Sequence, residues 1–205
     1  MDTRMDAQQQ QQALAIRQHL IDTQAGIERF LLTQPLLVPL QPSAIHPLQA
    51  VPRIVIRQML SLKASNTIIA RAEAKAAEQG VSGIADLSEL DLISCGCSRA
   101  KAATITRFAE SYYRYPDDID NWQQLDCETL LKTITSHKGL GLWTASIVAM
   151  FHFAHEDLFP LGDSSLRKAV SLLGEHGVIL VPERAAPYRT YLASYLWQLL
   201  DQARI

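Results

Sequence analysis

The sequence predicts an all-α fold. Apolar residues recur at helical spacing through most of the 205 residues, and capping residues, glycines and prolines punctuate those runs. No segment shows the sustained alternation of a half-buried strand, and neither an internal repeat nor a second nucleotide-binding motif is present.

In chain order, residues 1 to 12 are polar and end in five glutamines, Gln8 to Gln12, which predicts a frayed helix start or a flexible tail. From Ala13 to Leu32 the spacing of Leu14, Leu20, Ile21, Ile27, Phe30 and Leu31 suits an amphipathic helix. Pro35, Pro39, Pro42 and Pro47 force the next segment to be extended. A helix from about Leu48 to Ser61 accommodates Pro52 only in its first turn. Ala64 to Gln79 is an alanine-rich helix with a charged face, stopped by Gly80 and Gly83. Ile84 to Ile93 gives one or two short helices with Ser88 as a cap, and Ser98 caps a helix running from Arg99 to about Tyr113. After Pro116, a helix starting at Asp126 or Thr129 leads to Lys138-Gly139-Leu140-Gly141, and an apolar helix runs from about Leu142 to Phe153. Ser164 to Leu173 and Glu183 to Gln202 complete the set.

A chain of this length builds one ordinary domain, or two small ones sharing an interface. Apolar content of 48% with 20% charged residues fits a globular protein with a core. No apolar run reaches the ~18 residues of a membrane span, and the polar start lacks a signal-peptide pattern, so the expected setting is intracellular, with no membrane partner. Three cysteines, Cys95, Cys97 and Cys127, make no disulfide framework and supply too few ligands for structural zinc or an iron–sulfur cluster. Net charge is −2, which alone argues against nucleic acid. Its distribution does not, because eight basic residues face five acidic ones between Arg53 and Arg107.

The organising stretch runs from Thr133 to Val170. Two glycines around Leu140 permit a sharp hairpin whose backbone can approach a ligand, and the following helix start presents N–H groups suited to an anion. Asp163 follows Gly141 by 22 residues on the loop Phe159-Pro160-Leu161-Gly162. A phosphate-gripping turn followed at this distance by a lone carboxylate is an unusual pairing and marks the functional centre.

Lys138-Gly139-Leu140-Gly141-Leu142-Trp143-Thr144-Ala145 and Phe159-Pro160-Leu161-Gly162-Asp163-Ser164-Ser165-Leu166 resemble the helix-hairpin-helix DNA glycosylase superfamily, in its alkylpurine, 3-methyladenine DNA glycosylase II-like branch. The resemblance extends from about Leu48 to the C-terminus. It implies two helical subdomains with a cleft between them, residues 13–205 as the glycosylase domain, the hairpin at 129–154 and the carboxylate loop at 159–165. It also implies a monofunctional enzyme that flips alkylated purines of the 3-methyladenine and 7-methylguanine type out of double-stranded DNA and cuts the N-glycosidic bond. The enzyme would act as a monomer and without an organic cofactor. Lys138, Gly139, Leu140, Gly141 and Thr144 would hold DNA, with Arg99 and Lys101 as further phosphate contacts. The carbonyls of Ser136, His137 and Leu140 would bind a sodium or potassium ion. Gln58-Met59-Leu60-Ser61 matches a family segment in which the residue after Gln enters the DNA, so Met59 is the wedge candidate. Trp143 and Trp197 match pocket aromatics. His137 and the pair Met59-Leu60 depart from the commoner family residues, which leaves room for an altered substrate range.

Each assignment has a plainer counterpart. Met59 and Trp197 could be core side chains, Arg99 and Lys101 ordinary exposed charge, and Asp163 only the N-cap of the helix after it. Glu156 and Asp157 are rival carboxylates. Trp143 stands where the branches that nick the backbone carry a lysine; an indole cannot form a Schiff base, so cleavage would stop at an abasic site. A non-catalytic lesion-binding protein and a helical interaction protein are the competing functions.

Overall fold

A computed structural model describes residues 5–203 and 205. Eleven α-helices occur among the described residues, with short 3-10 turns between some of them. No strand is formed among the described residues; one isolated antiparallel bridge joins Ala25 and Ile179. No helix among the described residues is long and apolar enough to cross a membrane.

The chain divides into two compact units. One comprises Pro42–Phe153, and the other combines the segment through Gln41 with Ala154–Ile205. In the second unit α1 is Ala7–Thr23, α2 Glu28–Leu31, α10 Ser164–Glu175 and α11 Arg189–Asp201. Where a frayed helix start or a tail is expected through residue 12, helix α1 begins at Ala7. The Asp6 side chain accepts the Gln9 N–H at 2.8 Å, and the Gln9 side chain accepts the Asp6 N–H at 3.1 Å. This reciprocal capping box satisfies two otherwise orphaned donors. Residues 1–4 lie outside the described residues. The single helix expected to Leu32 is interrupted because Gly26, at φ +82, turns the chain.

The two distant parts of this unit are joined by polar groups with defined partners. Buried Gln24 uses both ends of its amide on Val181, accepting its N–H at 2.8 Å and donating to its carbonyl at 3.0 Å. The extended proline segment, which has no ladder of its own, gives its Leu40 N–H to the Tyr191 hydroxyl at 2.9 Å. In this way α11 orders the connector as well as filling the core with Tyr191, Leu192, Tyr195, Leu196 and Leu199.

The unit Pro42–Phe153 contains α3 Pro47–Arg57, α4 Leu62–Gln79, α5 Glu89–Ser94, α6 Arg99–Arg114, α7 Pro116–Asp120, α8 Cys127–Ser136 and α9 Leu142–Phe151. Helix α3 packs on α4, α6 and α9, and α8 pairs with α9. Pro52 is the sixth residue of α3 rather than a first-turn residue; the helix forgoes one backbone bond there and is held by its buried face of Val51, Ile54, Val55 and Ile56. It ends at Arg57, short of the expected Ser61, because Gln58 leaves helical geometry and Met59 takes φ +56. Cys95 and Cys97 are buried free thiols.

Burial pushes His152 below the ordinary histidine value of about 6.5, with nearby His46 adding to the effect. As pH falls through that value the unfolded chain takes up a proton that the folded chain refuses, so stability is present above it and lost below. The thermal midpoint is therefore expected to fall between pH 7 and pH 5, and less so in His152→Leu. An equal pH dependence in that variant, measured by calorimetry, would contradict this.

Candidate active site

The hairpin between α8 and α9 is built on close backbone approach. Asp126 caps α8 by accepting the Thr129 N–H at 3.0 Å, and Leu140 closes the turn by donating to the His137 carbonyl at 3.0 Å. Leu140 is buried and anchors the loop. Gly139 lies at φ +99, and a Cβ there would sit 2.2 Å from Thr104 Oγ1 and 2.8 Å from its Cγ2. The turn thus rests directly on α6, which only glycine allows. Gly141 is the N-cap of α9 and has no side chain with which to cap it; a Cβ there would meet open space. The start of α9 therefore presents its first amides without a side-chain cap, the arrangement that suits an anion.

Around this turn Lys138 is exposed, Trp143 is partly buried and Thr144 is buried. His137 packs edge-on against Phe108 and Trp122, with ring centroids 5.8 and 5.7 Å away. This accounts for a histidine where an apolar residue is commoner: burial pushes its pKa down, with Asp118 opposing weakly, and the ring behaves as an apolar side chain. A cavity of about 330 Å³ opens beside it, lined by Arg107, Arg114 and Lys138 together with Glu110 and Ser136. Arg114 carries no motif that marks it in the sequence.

Gln58 and Thr144, 86 residues apart, are brought together: the Gln58 amide donates to the Thr144 hydroxyl at 2.6 Å. Next to it, Met59 is 95% exposed, which excludes the core-methionine alternative. Arg99 is exposed at the start of α6. Lys101 is not free for a phosphate. Its ammonium donates to the Ile56 carbonyl at 2.8 Å and the Gln58 carbonyl at 2.6 Å, and burial lowers its pKa, with Cys97 opposing. Carbonyls left unsatisfied at the end of α3 outcompete solvent for it.

In the other unit, Asp163 is the N-cap of α10 and only 9% exposed. Its Oδ1 accepts the Leu166 N–H at 2.8 Å and the Trp197 indole N–H at 3.2 Å. The loop before it is closed by the Asp163 N–H donating to the Pro160 carbonyl at 2.8 Å. Capping is thus one function of the carboxylate, and Trp197 is its hydrogen-bond donor rather than a plain core aromatic. The rival carboxylates are otherwise engaged. Asp157 forms a two-pronged pair with Arg189 at 2.6 and 2.9 Å, which holds its pKa down, and Glu156 accepts the Tyr191 hydroxyl. Neither partnership has a local sequence signal, since Arg189 lies 32 residues from Asp157.

No protein-family model matches the chain. DNA-3-methyladenine glycosylase 1 of Schizosaccharomyces pombe is 27% identical over 166 residues, covering 75% of this chain and 72% of the relative. The alkylbase DNA glycosidase-like protein mag2 of the same yeast is 26% identical over 165 residues, covering 75% and 78%. The solved structure of the S. pombe 3-methyladenine DNA glycosylase Mag1 in complex with abasic DNA superposes with a TM-score of 0.79, at 24% identity, over 91% of this chain and 97% of that one. The chain shares the fold of that structure. Sequence and fold both resemble the alkylpurine branch of the helix-hairpin-helix glycosylases. In this chain the glycine turn joins α8 to α9, and Asp163 ends the loop before α10.

Gly139→Ala is expected to destabilise the protein by about 2 kcal/mol or more, through overpacking and a disfavoured backbone. Adding Thr104→Ala should recover part of that loss. Denaturant unfolding of the two single variants and the double variant measures the coupling; strict additivity would show that the turn does not bear on Thr104.

Proposed function

We propose that the protein is a monofunctional DNA glycosylase that removes alkylated purines of the 3-methyladenine and 7-methylguanine type from double-stranded DNA. The observation that carries this reading is Asp163, a nearly buried carboxylate held by a helix N-terminus and an indole N–H, on a chain that also carries the uncapped Gly139–Gly141 hairpin. The names of the relatives, DNA-3-methyladenine glycosylase among them, support it.

The chemistry follows from the groups present. A damaged base inside a duplex must be flipped out before its glycosidic bond can be attacked, at a cost of a few kcal/mol. The amides of Gly139, Leu140 and Gly141 would grip the backbone, with Lys138 beside them and Arg99 as a further phosphate contact. Met59 would enter the space that the base vacates, aided by its flexible apolar chain. Trp143 and Trp197 are each candidates to stack on the extruded purine, since an aromatic face attracts a cationic ring by up to ~2 kcal/mol when desolvated. The C1′–N bond then breaks with its electron pair going to the purine, which leaves neutral because alkylation had made it cationic. The Asp163 carboxylate stabilises the oxocarbenium-like sugar and takes the proton of the water that adds to C1′. No amine stands at Trp143, so the product is an abasic site.

A sodium or potassium ion fits the hard oxygen donors of Ser136, His137 and Leu140. It would share the His137 carbonyl with the Leu140 N–H, and when bound it would stiffen the turn and add positive charge towards a phosphate. The enzyme would act inside the cell as a monomer and without an organic cofactor.

Asp163→Asn tests the reading cleanly, because asparagine caps a helix as well as aspartate and keeps an acceptor oxygen. Release of free methylated purines from alkylated duplex DNA should fall by at least about 100-fold while DNA affinity is kept. No release by either protein, with lesion binding intact, would favour a damage-binding protein instead. Trp197→Phe should lower the release rate and leave the duplex dissociation constant nearly unchanged; an unchanged rate would remove Trp197 from the site.

A further inference from the structure

The turn after α3 is held from two directions. Lys101 donates to the carbonyls of Ile56, in the last turn of α3, and Gln58, its cap residue, at 2.8 and 2.6 Å. The Gln58 side chain crosses to Thr144 in the first turn of α9 at 2.6 Å. Main chain and side chain of Gln58 are thereby both fixed, and Met59 projects at φ +56 with 95% of its surface exposed. A left-handed conformation in a residue other than glycine is disfavoured and persists only where its neighbours determine it. Lys101 and Thr144 are those neighbours.

We infer that Lys101 is a positioning residue for base extrusion: by holding the carbonyls of Ile56 and Gln58 it sets the turn that presents Met59, and through the Gln58–Thr144 hydrogen bond it keeps that turn in register with the hairpin helix. The inference rests on the glycosylase reading above. Its physical reason is preorganisation. An apolar wedge offsets the cost of unstacking only if the turn carrying it need not be ordered at the moment of insertion. Lys101 lies three residues before Thr104 on α6, so one helix supports both the gripping turn and the wedge turn.

The test compares release of 7-methylguanine from a fully paired duplex and from the same duplex with the lesion in a single-nucleotide bulge, where it is already unstacked. In Lys101→Met the paired-to-bulged rate ratio is expected to drop about tenfold or more relative to wild type, since only the paired lesion has to be extruded. Lys101→Arg should restore most of the ratio. Thr144→Val, which removes the Gln58 partner and leaves the α3 carbonyls alone, should shift it in the same direction by less. An unchanged ratio with a lower thermal midpoint would reduce Lys101 to a helix cap and overturn the inference. So would a duplex affinity whose salt dependence loses about one phosphate contact, because Lys101 would then touch DNA directly. No release from either substrate by the wild-type protein would remove the glycosylase reading, and this inference with it.

Discussion

The absence of one Cβ, at Gly139, governs the unit Pro42–Phe153. Because nothing stands between the turn and Thr104, the hairpin backbone presses on α6 at a distance no other residue permits. That contact sets where α9 begins and therefore where its uncapped amides lie. Helix α6 passes the constraint on: one turn earlier, Lys101 takes the last carbonyls of α3, and Gln58 returns to α9 through Thr144. The result is a closed ring, from α6 to the hairpin to α3 and back to α6. Few polar bonds are involved, yet each is buried or partly buried and spans elements far apart in sequence, where such bonds restrain most.

The other unit solves a different problem, which is to hold still a loop rich in proline and glycine that ends in Asp163. Its neighbours Glu156 and Asp157 do that structural task. Asp157 pairs with Arg189, Glu156 accepts from Tyr191, and the Thr190 hydroxyl accepts the Leu158 N–H at 3.1 Å while donating to the His155 carbonyl at 2.7 Å. Three consecutive residues of α11, Arg189 to Tyr191, thus fasten the chain just ahead of the loop. Two of the three nearby acids are consumed in this way, and the third sits at the helix start, where Trp197, two turns further along α11, reaches it.

Local chemistry was legible in the sequence. Ser88, Ser98 and Asp163 each cap the helix that follows, because a cap is decided by a side chain and an amide three residues on. The hairpin and the carboxylate loop were equally visible as short motifs. The reading failed where distant groups decide. A methionine with positive φ has no local signature, so helical spacing alone extends α3 to Ser61. At its true end the Gln58 carbonyl accepts from Lys101, 43 residues away, and for the same reason Lys101 reads in the sequence as a phosphate contact. The capping box of Asp6 and Gln9 was lost for another cause: a run of glutamines resembles a tail in composition, and composition is blind to one reciprocal pair of hydrogen bonds. Trp197 matched a family position, but its bond to Asp163 spans 34 residues and needed coordinates.

Capping of α10 by Asp163 is compatible with the catalysis proposed for it. A carboxylate that must meet a developing positive charge is effective in proportion to how little it has to reorganise. In a mobile loop it would have to be ordered and desolvated during the reaction. As an N-cap with Oδ1 already accepting the Leu166 amide and the Trp197 indole, it has its position set by folding itself. Helix α10 is amphipathic and anchored by buried Leu166, Ala169 and Leu173, so the cap cannot drift without pulling that face out of the core. The stability of an ordinary helix start thereby becomes the stiffness of the site.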